Sequence, residues 1–308
     1  MAEGPLFAYV LLREAVSLKA ISLASILRDA LPDRIVEGPP GDDDSALLTI
    51  DGSPIVLMAM PFPLPPDAVE GPLRNNFVWP DAGEAVAAHR AHLIVSVLGG
   101  KGEPEQTRKS AQTVTRILGA LVEKLSALAA IWVPGSVIAS PATLESAVRA
   151  VNRGEPALDL WVALLIGPGP STDDGVRTMG CATTGVRLFA GREIEFPPHA
   201  LPPATLATRV IGAAHILCTK GPILQDGETL GISPTERIRI HHMDEGARPG
   251  IPVLMLLPET LEPDPTPEPP APRPPDEGPF EDGPPSGQPR GGFGSGPIRR
   301  PVFGRRLN

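Results

Sequence analysis

The chain has 308 residues, enough for one large domain or for two ordinary domains with a tail. Hydrophobic residues make up 42% of it and support a buried core, and because only 4% are aromatic, aliphatic packing must dominate that core. The formal net charge of −9 argues against general nucleic-acid binding, since neutralising phosphates requires clustered Lys and Arg. The longest apolar runs are only strand-length, so the sequence predicts no membrane span.

The first hundred residues are predicted to mix strands and helices. Residues 6–12 are apolar and predict a strand, and Ser17 is suited to cap a helix that ends at Pro32. Asp51 and Gly52 lie between two apolar runs, and Asp-Gly favours a hairpin because a tight turn needs positive φ at both positions. Residues 79–99 predict a short helix that leads into a strand covered on both faces.

The clearest helix begins at Pro104, because apolar residues form a continuous stripe from Val114 to Leu128. A second Asp-Gly pair, Asp226 and Gly227, again indicates a hairpin. The other elements expected in this part of the chain are two short strands within 130–138, a helix from 141, strands at 158–166, 178–190 and 191–196, a helix at 203–220, and strands at 237–242 and 251–257.

These elements predict an α+β fold with mainly antiparallel sheets and helices packed on one face. Two fused α/β sandwich halves, at about residues 1–100 and 101–258, would account for their order. Residues 259–308 form a separate tail that contains 14 of the 40 prolines and almost no apolar periodicity. Such a segment buries too little apolar surface to offset its chain entropy, so we expect disorder.

Three stretches carry a family resemblance. They are AAHRAHLIVSV after Trp79 and Pro80, LDLWV at 158–162, and GPILQDGETLGISPTERIRIHH at 221–242. Together they resemble the uncharacterised bacterial family domain of unknown function 4261, over about residues 6–257. The resemblance implies a cytoplasmic bacterial protein, with a link to secretion or toxin–immunity systems, and it transfers no catalytic residue.

The cysteines and the N-terminus also point to the cytoplasm. Cys181 and Cys218 are the only two thiols, which is typical of a reducing compartment, and neither belongs to a CxxC motif. Glu3 is acidic where a signal peptide carries basic residues.

Several polar clusters invite a chemical interpretation, and in each case a simpler one is favoured. The glycine-rich stretch 99–102 lies between a strand and a helix, but it lacks the spacing and the Ser/Thr of a phosphate-binding loop, so we interpret it as a turn. His89 and His92 have the spacing of a shared helix face, but no further metal ligand accompanies them. Glu193 and Glu195 are interpreted as a solvated strand face.

The sequence therefore predicts no catalytic residue, cofactor or metal site, and it favours a non-enzymatic cytoplasmic protein-interaction module. In this interpretation the tail is a tether or a docking segment, because apolar Val302 and Phe303 lie between the arginine pairs Arg299, Arg300 and Arg305, Arg306. The alternative is an enzyme or small-ligand binder with a site between the two halves. Its candidate residues are His92, Arg237, Arg239 and His241.

Overall fold

The computed structural model describes residues 6–21, 23–39, 41–98, 103–231, 233 and 235–260, and the backbone of 304–305. This part of the chain contains fourteen strands in two sheets and eight helices. The strands are β1 Leu6–Leu12, β2 Val36–Glu37, β3 Ser45–Ile50, β4 Ser53–Met60, β5 Ala91–Val97, β6 Ala129–Trp132, β7 Val137–Ala139, β8 Ala163–Pro168, β9 Met179–Thr184, β10 Glu193–His199, β11 Thr229–Gly231, β12 Arg237–Met243, β13 Val253–Thr260 and β14 Gly304–Arg305. The helices are α1 Leu23–Ala30, α2 Pro66–Arg74, α3 Ala82–Ala88, α4 Pro104–Lys124, α5 Pro141–Asn152, α6 Leu158–Trp161, α7 Arg187–Ala190 and α8 Pro203–Lys220.

The two sheets are formed by successive parts of the chain. The first sheet has the order β2-β3-β4-β5-β1-β6-β7 and is antiparallel throughout. The second sheet has the order β14-β11-β12-β13-β10-β9-β8, in which β10 and β13 form the parallel pair. These pairings confirm the predicted α+β class with mainly antiparallel sheets.

The division between the sheets falls later than residue 100. Strands β6 and β7 follow α4 but return to the first sheet, because β6 pairs with β1 from Ala8 to Leu11. The first sheet therefore extends to Ala139, and the second begins at Ala163.

Helices cover both faces of the first sheet but unequally. Alternate residues of β1 and β6, including Val10 and Trp132, pack with α1, α4 and α5 in one core. Leu11 and Ile131 point the other way and pack against α2 and α3. In the second sheet, α8 covers the face that carries Phe196 and Ile240, in agreement with the predicted arrangement of helices on one face.

Helix α4 connects the two halves. Pro104 occupies its first turn, where the missing N–H costs nothing, and the predicted apolar stripe is buried from Val114 to Val122. The helix packs against β1 and β5 of the first sheet and also against α7 and α8. No helix in the described ranges is long and apolar enough to cross a membrane.

The indole of Trp161 lies at the centre of the junction. It is fully buried and stacks between Trp132 and Phe189, with ring centroids at 6.3 Å and 5.1 Å. Its N–H donates to Thr115 Oγ1 on α4 at 2.9 Å. One side chain therefore contacts β6, α4 and α7, so the two halves share part of their core.

Two glycines allow the backbone at Trp161 to approach its neighbours. A Cβ atom at Gly135 would lie 2.3 Å from the Trp161 carbonyl oxygen, and one at Gly185 would lie 2.2 Å from it. Gly185 also has φ of +115°, which side-chain-bearing residues rarely adopt. These contacts explain why both positions are glycine.

Several elements differ from the sequence prediction. The hairpin expected at Asp226 and Gly227 is absent, because these residues form a turn and no strand lies in the described residues between α8 and that turn. Helix α1 is shorter, because Ser17 caps a separate turn, in which its Oγ accepts from Ala20 N at 3.2 Å. Helix α2 is not among the predicted elements, although Pro66 suits the first turn in which it lies. The predicted strands at 158–166 and 178–190 each contain a four-residue helix, α6 and α7.

Candidate binding surface

Part of the first sheet lacks a helix on one face. We call this part the open face and define it by Phe7, Leu47, Val56, Met58 and Ile94. Leu47 and Met58 are 53% and 39% exposed, and the other three are half-buried. The strand register joins them, since Leu47 pairs with Val56 and Met58 pairs with Ile94. The open face therefore crosses β3, β4, β5 and β1 and is mainly apolar, with Ser96 of β5 between Val56 and Phe7.

An aromatic row borders the open face on the side of α2 and α3. Phe7 contacts Tyr9 edge-on at 5.6 Å, and Tyr9 contacts His92 at 5.7 Å. Phe62, which is 53% exposed, also contacts the His92 ring edge-on, with the ring centroids 5.8 Å apart. The row extends the apolar surface from β1 to the loop after β4.

Two histidines attach this loop to the sheet. His89 Nε2 accepts from the Leu64 N–H at 2.8 Å, so its Nδ1 carries the proton and donates to the Val86 carbonyl. His92 donates from Nδ1 to the Phe62 carbonyl at 2.9 Å. Burial lowers the pKa of His92, whereas its hydrogen bond to the Phe62 carbonyl acts in the opposite direction. The two rings therefore attach residues 62–64 to the sheet and fix the position of Phe62 beside the open face.

His92 thus has a structural environment. It lies in β5 and not on a helix. Each of the two rings binds a different backbone group, so His89 and His92 do not form a pair of ligands for one metal ion. Across the described residues, no group of three or more His, Cys, Asp or Glu side chains is placed to bind a metal ion.

The charges around the open face are acidic. Glu37 lies beside Thr49, on the same side of the sheet as Leu47, and is exposed. Asp42, Asp43 and Asp44 are exposed and immediately precede β3. Burial raises the pKa of Tyr9, and the carboxylate of Asp67 raises it further. None of the five residues that define the open face is Lys or Arg.

The other predicted ligand residues lie in the second sheet. Arg239 on β12 pairs through two nitrogens with Glu259 and donates to the Gly227 carbonyl at 2.9 Å. His241 Nδ1 lies 3.6 Å from Asp226. Arg237 is exposed and lies two residues before Arg239 on the same strand. The structure therefore groups these three residues but places His92 in the other sheet, so the four form no common site.

The interpretation of Glu193 and Glu195 as solvated is wrong, because both are buried. Glu193 accepts hydrogen bonds from Thr183 Oγ1 at 2.7 Å and from Gly185 N at 2.8 Å. Burial raises its pKa, whereas these hydrogen bonds act in the opposite direction. Alternation along a strand identifies a shared face, but it does not show that another segment covers that face.

Residues 244–250 fold over Glu195. The Ala247 N–H donates to Glu195 Oε2 at 2.9 Å, and Arg248 donates to Thr184 Oγ1 at 2.7 Å. Gly246 lies so close that a Cβ atom there would be 2.5 Å from both carboxylate oxygens. These contacts leave no room for a ligand, so the cluster fixes a loop to the sheet.

Two cavities are present near α4. One of about 150 Å³ lies at the junction between α4, α7 and α8 and is lined by Arg108, Phe189 and Cys218. The other, of about 220 Å³, is lined by Arg34 and Lys109. Arg34 already pairs with Asp51 at 2.5 Å, and Lys109 pairs with Glu105 at 2.8 Å. Both are smaller than the roughly 300–1,000 Å³ of typical small-molecule sites.

The cysteines are free and buried in different cores. Burial raises the pKa of Cys181 to about 12, and it raises that of Cys218 as well, with the charge of Glu193 as a second cause. Neither thiol is therefore activated as a nucleophile.

Most of the predicted tail motif lies outside the described residues. The residues concerned are Arg299, Arg300, Val302, Phe303 and Arg306. The glycine-rich stretch 99–102 also lies outside the described residues. For Arg305 the structure describes the backbone, which pairs with β11.

Comparison with known proteins gives one match. Residues 182–257 match the family described as domain of unknown function, DUF4261. The match confirms the predicted resemblance over this segment, which runs from β9 to β13 and so includes much of the second sheet. No curated protein and no solved structure matches the chain.

Proposed function

We propose that this protein is a non-enzymatic protein-interaction module that binds its partner on the open face of the first sheet. The observation that carries the proposal is the apolar surface formed by Leu47, Val56 and Met58 together with Phe7 and Ile94. Burying apolar area contributes roughly 25 cal/mol per Å², and contiguous exposed apolar patches on soluble proteins often mark binding sites.

The border of the open face specifies the chemistry of the partner. Glu37 lies on the side of the sheet that carries the open face, the acidic run from Asp42 to Asp44 immediately precedes β3, and none of the open-face residues is Lys or Arg. A segment that presents apolar side chains flanked by Lys or Arg is complementary to this surface, and its charges would accelerate and orient the encounter.

The tail and the location complete the proposal. The acidic, proline-rich part of the tail suits a tether, and the arginine-flanked Val302 and Phe303 suit a docking segment. Two free buried thiols fit a cytoplasmic location.

Two matched substitutions test the proposal. Met58→Glu places a charge on the open face, whereas Leu257→Glu places one at a similarly exposed position of the second sheet; the native side chains are 39% and 37% exposed. Both variants should retain their stability to within about 0.5 kcal/mol, because the sites are on the surface.

The readout is the affinity for a stoichiometric partner purified from the source cells. Met58→Glu should weaken binding at least about tenfold, and Leu257→Glu should not change it. Replacing Asp42, Asp43 and Asp44 by Asn should slow association at low salt. Equal affinities for wild type and Met58→Glu would refute the proposal, as would self-association as the only interaction.

A small-ligand site between the two halves has weaker support. The cavity of about 150 Å³ is at that junction, but none of His92, Arg237, Arg239 and His241 lines it. A reproducible thermal shift of the full chain with one metabolite, abolished by Arg108→Ala, would favour this alternative.

A further inference from the structure

The outer edge of the second sheet is occupied by the C-terminal segment of the same chain. Strand β14 pairs antiparallel with β11, with Arg305 opposite Leu230 and Gly304 opposite Gly231. On its other side β11 pairs with β12. Without β14, the backbone groups of β11 on this side would form an unpaired sheet edge.

Strand β11 has little protection of its own. Its three residues, Thr229–Gly231, include no charge and no proline, the two features that commonly prevent an edge from pairing with another chain. Its side chains also do not obstruct pairing, because Leu230 is buried. The edge is therefore suited to accept an extended strand.

Glycine occupies both positions of one cross-strand pair. A Cβ atom at Gly231 would lie 2.4 Å from the Glu236 carbonyl oxygen, so β11 is pressed against the following segment and a side chain would not fit. Gly304 opposite it likewise presents no side chain. The pairing is thus a contact between two backbones.

The length of the chain allows this contact within one molecule. Residues 261–303 separate β13 from β14 and, if extended, would reach on the order of 140 Å. Strand β14 lies three strand spacings from β13, or roughly 14 Å. A tethered segment of this kind has an effective concentration near the millimolar range. This concentration suits a short strand pairing that forms and dissociates repeatedly.

We infer that Gly304 and Arg305 form an intramolecular cap on the β11 edge, and that an extended strand of another protein binds this edge only by displacing the cap. This inference does not depend on the proposed partner surface, since it concerns the other sheet.

Two proline substitutions in the full-length chain test the cap. Gly304→Pro removes a backbone N–H and fixes φ within β14, whereas Gly294→Pro makes the same change elsewhere in the tail. The probe is a fluorescently labelled synthetic peptide of residues 297–308. If the cap occupies the edge about nine-tenths of the time, its loss should strengthen peptide binding about tenfold.

The expected result is tighter peptide binding and faster amide exchange at Thr229–Gly231 in Gly304→Pro, with Gly294→Pro behaving like wild type. Identical binding and exchange in all three proteins would overturn the inference. A concentration-dependent dimer that disappears in Gly304→Pro would also overturn it, because the cap would then come from a second copy.

Discussion

The two sheets contain the same number of described strands but expose different kinds of surface. The first sheet has helices on both faces, and the part that they leave uncovered is apolar, around Leu47 and Met58. The second sheet has α8 on one face, and its other face carries charged pairs such as Arg239 with Glu259. Helix coverage alone therefore does not determine where a protein exposes an interaction surface.

Buried polar groups of the second half also pair with one another or with loop backbone. Arg209 and Glu236 form an ion pair at 2.8 Å whose side chains are fully buried, and Glu193 and Glu195 accept hydrogen bonds from loops. Among the described residues of the first half, no Asp, Glu, Lys or Arg side chain is buried. We therefore expect substitutions to act through lost packing in the first half and through unpaired charge in the second.

The largest effect is expected at the junction, where the two cores meet. Trp161→Ala removes the ring that stacks on Trp132 and Phe189, and it should lower the free energy of unfolding by about 5 kcal/mol. Trp79→Ala is the matched control, because that indole is only half-buried. Chemical denaturation measures both, and an equal loss in the two variants would contradict the central role of Trp161.

The second-largest loss of stability is expected at the buried ion pair of Arg209 and Glu236. Arg209→Met leaves Glu236 without its main cation in the core and should destabilise the protein by about 3–4 kcal/mol. The double variant Arg209→Met/Glu236→Met should recover part of the loss, because neither charge of the pair then remains in the core. A double variant less stable than the single one would show that the pair contributes more than mutual neutralisation.

A smaller loss is expected where residues 244–250 cover the sheet. Gly246→Ala would place a methyl group 2.5 Å from the Glu195 carboxylate, so we expect a loss of about 1–3 kcal/mol in thermal unfolding. Gly250→Ala tests the same loop at a position with open space, where only its positive φ of +70° opposes the substitution. If both variants lost equal stability, crowding at Glu195 would not be the cause.

The smallest effect is pH-dependent and belongs to the first half. The folded state lowers the pKa of His92 below its usual 6.5, so the unfolded chain binds more protons at acidic pH. This contribution to stability is complete above pH 6.5 and decreases as the pH falls below that value. His92→Asn retains a donor for the Phe62 carbonyl but does not titrate, and denaturation at several pH values should show a flatter profile for it between pH 7 and 5. An unchanged profile would assign the acid sensitivity to other groups.

Sequence reasoning succeeded where local chemistry determines structure. Asp51 and Gly52 both adopt positive φ in the predicted hairpin, and the stretch around His92 forms the predicted helix and strand. It failed where distant segments supply the environment. The burial of Glu195 depends on Ala247, which is 52 residues away, and helix α2 was missed because proline both ends sheets and begins helices.

The candidate surface was harder to predict than the fold. The alternation in β3 and β4 identifies Leu47 and Met58 as members of one face, but it cannot show that α2 and α3 stop short of them. The predicted ligand residues His92 and Arg239 lie in separate sheets. His92 binds the Phe62 carbonyl and Arg239 pairs with Glu259, and the sequence spacing of these residues reveals neither contact.

Site-specific photo-cross-linking tests the proposed partner surface most directly. A benzophenone side chain at position 47 samples the open face, and one at position 257 samples the second sheet, where the native leucine is also exposed. We predict that, in the source cells, position 47 cross-links to one discrete partner protein, that Met58→Glu abolishes this product, and that position 257 gives none. Equal products from both positions, or a cross-link from position 47 only to a second copy of the chain, would contradict the assignment of the open face as the partner surface.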